Sequence, residues 1–287
     1  MPLLEAKNLK KSFAGRTVVR DVSFDVEKAQ VVGLLGRNGA GKTTSFRMAI
    51  GMIDPDPALA GLSSSVRFDG QDITSLPMYQ RARRGMGYLS QEPSIFGRLS
   101  CEDNLLAILE TLNLSRGDRR LRATALLDQF GLAHKAKHQA RTCSGGERRK
   151  LEIARALVTN PRLILLDEPF SGVDPIAVEE LQREILRLAK SGIAFLITDH
   201  NVQQTLRVCN HACIIVDGQV IAKGSPAMLV RDEGVKRAYL GNLFRGDEFD
   251  AVPGDAAQPH ADQQSLPVSN TSASAPSVNL APARPSV

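Results

Sequence analysis

The chain has 287 residues, of which 43% are hydrophobic and 23% charged, and it carries a formal net charge of +5. This length can bury a sizeable core in one large domain or two small ones. No apolar run approaches the roughly 18 residues that a membrane-spanning helix needs, and residues 1–5 lack the basic start and apolar core of a signal peptide. The sequence therefore predicts a soluble cytoplasmic protein, which partner proteins could still hold at a membrane.

The positive charge is scattered along the chain. Lys and Arg form only short clusters, such as residues 81–84 and 148–150. A solvated face, or a surface that faces an anionic membrane, explains such clusters more simply than nucleic-acid binding does. The sequence therefore predicts no nucleic-acid partner.

The cysteines favour a reducing compartment, because no paired CxxC spacing occurs among them. They are Cys101, Cys143, Cys209 and Cys213. Two groups hold metal-ligating residue types: the cluster around His211, and the pair His134 and His138. Neither has the spacing of a tetrahedral site, so free thiols and no such metal centre are predicted.

Residues 3–28 alternate apolar and polar positions around Gly15, which is typical of an antiparallel β-hairpin. Phe13 lies just before the turn. An aromatic ring there could stack on an adenine face, or it could be an ordinary core residue, and the sequence leaves both readings open.

A phosphate-binding loop follows the hairpin. Val31–Leu35 is a short apolar run typical of a buried strand, and Thr43–Ile50, free of Pro and Gly, can form a helix. Between them the sequence fits G-x-x-x-x-G-K-[ST], with the residues Gly36, Arg37, Asn38, Gly39, Ala40, Gly41, Lys42 and Thr43. Its glycines let backbone N–H groups turn towards a polyphosphate. Lys42 can reach the β- and γ-phosphates, and the Thr43 hydroxyl can bind Mg²⁺.

The next segment is predicted to contain a loop over 51–65, a strand and turn over 66–70, and a basic helical segment over 77–84. Residues 87–91 look like a strand that ends in Gln91. This side chain could contact Mg²⁺ or an attacking water, or it could be a surface amide, and sequence alone leaves the choice open.

Helical periodicity begins at Cys101 and continues to Phe130, with a predicted break at Gly117-Asp118. The two apolar stripes are Leu105, Ile108, Leu109 and Leu112, and Leu121, Ala125, Leu126 and Phe130. This region predicts a helical subdomain, about residues 98–158, inserted in an α/β chain.

Ser144-Gly145-Gly146-Glu147 opens the next predicted helix. Ser144 and Glu147 have the spacing of a capping box. The four residues could form a simple helix start, or they could present a second set of N–H groups to a phosphate.

Two apolar strands are predicted to end in polar side chains. The strand from Leu163 ends in Asp167, which can hold Mg²⁺ through water, and Glu168, which can act as general base. The strand from Ala194 ends in His200, where α/β sheets place their ligands. An amphipathic helix over 176–190 lies between them. A hairpin around Asp217-Gly218 follows, and residues 245–287 have the composition of a disordered tail.

The order of these motifs over residues 3–244 resembles the nucleotide-binding subunits of ABC transporters. The resemblance implies a P-loop α/β ATPase domain with an antiparallel β-subdomain and an inserted α-helical subdomain, and the cofactors ATP and Mg²⁺. Phe13 would stack on adenine and the residues from Gly36 to Thr44 would hold the phosphates. The implied catalytic residues are Glu168, His200 and Gln91, and the implied Mg²⁺ ligands are Thr43, Gln91 and Asp167.

The same resemblance implies two copies of the chain. Ser144 to Glu147 would close on ATP held by the other copy, and Asp174 would belong to a loop that crosses the interface. One P-loop and one such signature cannot face each other within a single domain, so a two-fold head-to-tail dimer is expected.

A finer resemblance is to the ATPases of lipopolysaccharide export, through residues 81–85, 94–96, 167–175, 198–202 and 235–241. It implies energy supply for lipopolysaccharide extraction at the cytoplasmic face of the inner membrane, under two transmembrane subunits that contact Phe96 and Arg98. Cys143 stands where the family usually has Leu, and Gly97 stands where a second Arg is expected. The alternatives are the ATPase of a branched-chain amino-acid importer and a non-transport ABC ATPase acting on DNA or ribosomes.

Overall fold

The structure is a computed structural model that describes residues 1–57 and 63–241. The predicted tail over 245–287, and the last residues of the predicted domain over 3–244, lie outside the described residues.

Within the described residues the strands form one sheet, in the order β5-β4-β1-β2-β10-β9-β3-β8-β7-β6. The strands are β1 Leu4–Phe13, β2 Arg16–Val26, β3 Val31–Leu35, β4 Ser65–Phe68, β5 Gln71–Asp72, β6 Met86–Leu89, β7 Leu163–Asp167, β8 Ala194–Thr198, β9 His211–Val216 and β10 Gln219–Gly224. One half is antiparallel, with β1 between β2 and β4. The other half is built on parallel pairs from β6 to β9. The fold is therefore of the mixed α/β class, and one region of its sheet is antiparallel.

The helices are α1 Lys42–Ile50, α2 Met78–Arg83, α3 Cys101–Leu109, α4 Arg116–Gln129, α5 Gly145–Leu157, α6 Pro175–Lys190, α7 Val202–Leu206, α8 Pro226–Arg231 and α9 Glu233–Val235, followed by a π-helix over Lys236–Leu240. Among the described helices, none combines the length and the apolarity that crossing a bilayer requires.

The parallel strands are buried on both faces, which explains their unbroken apolar runs. Every residue of β3, β7 and β8 is buried. On one face Phe46 of α1 packs in a cluster with Val22 of β2. On the other face α3, α4 and α5 share a cluster that includes Leu105 and Leu151. Each such apolar side chain contributes about 1.5 to 3 kcal/mol, so the strand ends are held on a rigid frame.

The predicted helix break at Gly117-Asp118 is wrong. Gly117 lies in the first turn of α4, and the chain between α3 and α4 turns before Ser115 instead. The Ser115 hydroxyl accepts a hydrogen bond from the Asp118 N–H at 3.1 Å, so a helix cap begins where a helix breaker was expected. Of the predicted stripe, Leu126 and Phe130 are buried but Leu121 is 70% exposed, and Ala123 and Leu127 are buried with the first two.

The interpretation of the short basic clusters as solvated faces is also wrong for one residue in each cluster. Arg81 is fully buried and Arg149 is 8% exposed. Each donates a hydrogen bond to a backbone carbonyl, and no local sequence pattern predicts these contacts. Both guanidinium groups therefore make hydrogen bonds inside the fold and do not form a solvated face.

All four cysteines are free and buried. Across residues 1–57 and 63–241, no three His, Cys, Asp or Glu side chains group as metal ligands would.

Candidate active site

The loop between β3 and α1 depends on glycine at two positions. Gly36 has φ +155°, and a Cβ there would lie 2.2 Å from the Ile215 carbonyl oxygen. Gly41 has φ +102°, and a Cβ there would lie 3.0 Å from the Val18 carbonyl oxygen. Backbone carbonyls of β9 and β2 thus lie close to the loop backbone, and only glycine permits this path.

Lys42 is the first residue of α1, and its side chain folds back onto this loop. Its Nζ donates hydrogen bonds to the carbonyl oxygens of Gly36 at 2.6 Å and Arg37 at 3.0 Å. Burial lowers the pKa of Lys42, while the charges of Glu168 and Asp199 oppose that shift. The ammonium group is therefore held at the loop, where the charges of two carboxylates favour its protonated form.

Helix α1 starts directly after the loop, and its N-cap, Gly41, provides no side-chain hydrogen bond. The first N–H groups of a helix carry partial positive charge and bind anions. They border a cavity of about 560 Å³. It is lined by Val18, Asn38, Gly39, Gly41, Lys42, Thr43, Thr44, Gln91, Glu168, Ser171 and His200.

The structure thus brings together most of the predicted P-loop residues with Gln91, Glu168 and His200, although more than 100 residues separate the ends of this set. The Gln91 Nε2 donates a hydrogen bond to Glu168 Oε2 at 2.8 Å, and His200 Nδ1 lies 3.4 Å from the same oxygen. Gln91 reaches this site because β6, the strand that precedes it, pairs with β7. A phosphate-binding loop therefore faces a carboxylate across one cavity.

Asp167 is the last residue of β7 and is 3% exposed. Burial raises the pKa of its carboxyl group, and Arg47 opposes that shift. Its Oδ1 has no hydrogen-bond partner in the protein. Because a buried polar atom is rarely left unpaired, this oxygen is available to a ligand at the strand end.

Asp199 is a residue of the site that sequence reasoning missed. It is fully buried, and its two carboxylate oxygens accept hydrogen bonds from the Phe170 N–H at 3.0 Å and the Asn201 N–H at 2.8 Å. These bonds tie the turn after β7 to the turn after β8, and so fix Glu168 beside His200. The available signal was its place between Thr198 and His200, at the end of a buried strand.

Glu168 has a strained backbone. Its φ is +46°, in the left-handed region, and its N–H donates to the Thr198 carbonyl at 2.7 Å. This conformation costs a residue such as Glu about 1 to 2 kcal/mol, and Asn tolerates it better. The reversal turns the Glu168 side chain away from that of Asp167, so that one carboxylate is buried and the other lines the cavity.

We expect the free energy of unfolding of the Glu168→Asn variant to be about 0.5 to 1 kcal/mol higher than that of the Glu168→Gln variant. Both substitutions remove the same charge, so the lost charge does not contribute to their difference. Chemical denaturation of the two variants without nucleotide measures it. A Gln variant as stable as the Asn variant would show that the turn stores no strain.

Phe13 lies outside this cavity. It is 46% exposed, with Lys11 Nζ 5.8 Å from the ring centroid. The hairpin that carries it borders a second cavity of about 530 Å³, which meets the first at Val18 and Gly39. That cavity is lined by Lys10, Arg16, Thr17, Val18, Arg20, Gly39 and Asp217. Adenine stacking on Phe13 stays a prediction, and the basic side chains beside it were not foreseen.

Residues 144–147 form the predicted capping box at the start of α5, with the Ser144 N–H donating to Glu147 Oε2 at 2.8 Å. Lys135 Nζ contacts the same oxygen at 2.6 Å. Asp174 caps α6 in a similar way, accepting the Ala177 N–H at 3.0 Å. None of these residues lines the P-loop cavity, so one copy of the chain does not join them to it.

A protein-family model matches the part of the chain that holds the P-loop and Glu168. This model, described as "ABC transporter", matches residues 19–171. The match runs from the hairpin through the P-loop, the helical region and Glu168.

Similar proteins cover most of the chain. The lipopolysaccharide export system ATP-binding protein LptB of Escherichia coli K12 is 51% identical over 246 residues, which are 85% of this chain and 100% of the relative. The protein of the same name from Haemophilus influenzae is 49% identical over 246 residues, with the same coverage. A probable ABC transporter ATP-binding protein of Azorhizobium caulinodans is 49% identical over 242 residues, 84% of each chain.

Solved structures give the same fold. An ATP-binding cassette of an ABC transporter in its ADP conformation has a TM-score of 0.74 and 28% identity, and covers 84% of this chain and 100% of its own. A nucleotide-free ATP-binding cassette has a TM-score of 0.73, at the same identity and coverage. This chain therefore belongs to the ATP-hydrolysing, nucleotide-binding subunits of the ABC transporter family.

Proposed function

We propose that this chain powers lipopolysaccharide export from the inner membrane, as the ATPase beneath two transmembrane subunits. One observation carries the proposal: the relative named for lipopolysaccharide export is 51% identical over its whole length. The substrate does not contact an ATPase subunit, so the assignment depends on which membrane subunits the chain binds.

The P-loop cavity supports the assignment of the nucleotide site. The N–H groups of residues 36–44 and the Lys42 ammonium would hold the phosphates of ATP. Phe13 would stack on the adenine, next to the basic cavity of the hairpin.

The donor set also fits Mg²⁺, which would neutralise charge on the phosphate oxygens. Asp167 offers a buried Oδ1 without a protein partner, and oxygen ligands are those that Mg²⁺ prefers. The Thr43 hydroxyl and the Gln91 amide oxygen belong to residues of the cavity beside it. These three residues are the proposed Mg²⁺ ligands.

Glu168 is the proposed general base. A water oxygen attacks the γ-phosphorus, the bond from that phosphorus to the β–γ bridging oxygen breaks, and the proton of the water passes to Glu168. Gln91, hydrogen-bonded to Glu168 Oε2, would orient that carboxylate and the water. His200 would contact the γ-phosphate from the end of β8.

The second phosphate-facing surface would come from another copy of the chain. The Ser144–Glu147 helix start is exposed or half-buried and lies outside the P-loop cavity. In a two-fold head-to-tail dimer this start would close on the ATP of the partner, and Asp174 would lie in the loop between the two sites. The dimer would sit at the cytoplasmic face of the inner membrane.

The test is affinity purification of the tagged full-length chain from detergent-solubilised membranes, followed by identification of what copurifies. We expect two transmembrane subunits of a lipopolysaccharide exporter. Recovery of amino-acid permease subunits would overturn the substrate and leave the ATP site as assigned. Ribosomes or DNA without a membrane protein would overturn the transporter role.

A further inference from the structure

We propose that Arg149 and Glu152 of helix α5 are positioning residues that hold Gln91 against Glu168. They would do so by binding the backbone on both sides of Gln91. The inference rests on the roles proposed above for Gln91 and Glu168, and it adds to them a link between α5 and the hydrolytic site.

The Gln91 segment, defined here as residues 90–94, joins β6 to the region before α3. All its residues except Ser90 are exposed. Arg149 Nη1 donates a hydrogen bond to the Ser90 carbonyl at 3.0 Å. Glu152 Oε1 accepts one from the Ser94 N–H at 2.7 Å. Two side chains of one helix therefore fasten both ends of an exposed loop.

Arg149 and Glu152 also bind each other, at 2.9 Å, one helical turn apart. Their side chains are only 10% and 4% exposed. An apolar pair of similar volume often stabilises a fold as well as a buried ion pair does, because desolvation offsets the attraction. The stability of α5 alone therefore does not account for this pair, whereas its bonds to the Gln91 segment do.

A third residue on the same face of α5 extends the contact. Arg155 Nη1 donates to the Ser94 carbonyl at 2.7 Å, and its Nη2 contacts the Ser94 hydroxyl. Its guanidinium carbon lies 5.1 Å from the centroid of the Phe96 ring. Residues 149, 152 and 155 are spaced by three and share one helix face. The Gln91 segment is thus attached along more than one turn of α5.

This attachment bears on catalysis because the hydrogen bond between Gln91 and Glu168 is short, at 2.8 Å. A displacement of about 1 Å at a reacting group can lower a rate by about 100-fold. Helix α5 begins at the Ser144 cap, so a movement of that cap would be passed through Arg149 and Glu152 to Gln91. Phosphate binding at the helix start would then be coupled to the position of the base.

The test compares steady-state ATP hydrolysis, melting temperature and KM for ATP in full-length variants. We expect Arg149→Met with Glu152→Leu to lower kcat at least 10-fold, with KM for ATP within two-fold and an unchanged melting temperature. The matched control is Lys150→Met with Glu180→Leu, which removes a half-exposed ion pair of 2.7 Å from the same helix to α6. The control should keep the wild-type kcat.

A second measurement separates positioning from a general structural effect. In a Gln91→Ala background, the Arg149 and Glu152 substitutions should lower kcat no further, since they act through Gln91. Multiplicative losses, or a wild-type kcat in the double variant, would overturn the inference. Should the double variant fail to fold, Arg155→Met, which removes both contacts to Ser94, carries the same expectations. A Glu168→Gln variant that still turns over ATP would instead overturn the role proposed for Glu168, so the two failures are distinguishable.

Discussion

Glu168→Gln is expected to lower kcat for ATP hydrolysis by at least 100-fold and to leave ATP binding intact. The amide keeps the size of the side chain and can still pair with Gln91, but it cannot take a proton from the attacking water. Loss of a general base removes about 10²- to 10⁴-fold of rate. Steady-state phosphate release gives kcat, and equilibrium titration with a fluorescent ATP analogue gives the affinity.

The control for this variant is Glu27→Gln, which removes one carboxylate from an exposed residue between β2 and β3. It should hydrolyse ATP at the wild-type rate. Two results would contradict the assignment of Glu168. One is turnover within three-fold of wild type, which would mean that another group accepts the proton. The other is loss of ATP binding, which would mean that Glu168 acts in binding rather than in chemistry.

The sheet and the P-loop were readable from sequence because their signals are local. Continuous apolar runs marked β3, β7 and β8 to within two residues, since a strand that is buried on both faces consists mainly of apolar residues. The ends of β7 and β8 then meet by the pairing of Asp167 with Thr198. Parallel neighbours end at one edge of a sheet, so the polar residues after them converge.

What the sequence left out depends on the whole fold. The positive φ of Glu168 follows from the turn between β7 and α6, and nothing in Asp-Glu-Pro marks which residue adopts it. The burial of Arg81 and Arg149 could not be predicted from the sequence, because it depends on which backbone carbonyls lack other partners in the folded chain. The predicted helix break at Gly117 was wrong because sequence alone does not distinguish a glycine in the first turn of a helix from one that ends a helix.

Arg81→Met is expected to destabilise the protein by about 3 to 5 kcal/mol. The guanidinium is fully buried and donates to four backbone carbonyls, those of Met48, Ala49, Thr74 and Leu76, at 2.7 to 2.8 Å. Burial lowers the pKa of Arg81 to about 10, so the group still carries its charge at neutral pH. The first two carbonyls lie in the last turn of α1, where the regular helical hydrogen bonds end. Methionine fills the volume but leaves all four without this donor.

Arg84→Met, one residue beyond the end of α2, provides the matched control. Arg84 is exposed, and its guanidinium makes a hydrogen bond of 3.3 Å to the Gln80 carbonyl, so its loss should change the free energy of unfolding by less than about 0.5 kcal/mol. Urea denaturation of both variants measures the difference. An Arg81→Met variant within 1 kcal/mol of wild type would mean that water or a shifted backbone replaces the arginine. If the expected loss is found, the end of the phosphate-binding helix is fastened by a side chain more than 30 residues away, from a cluster that the sequence had suggested was solvated.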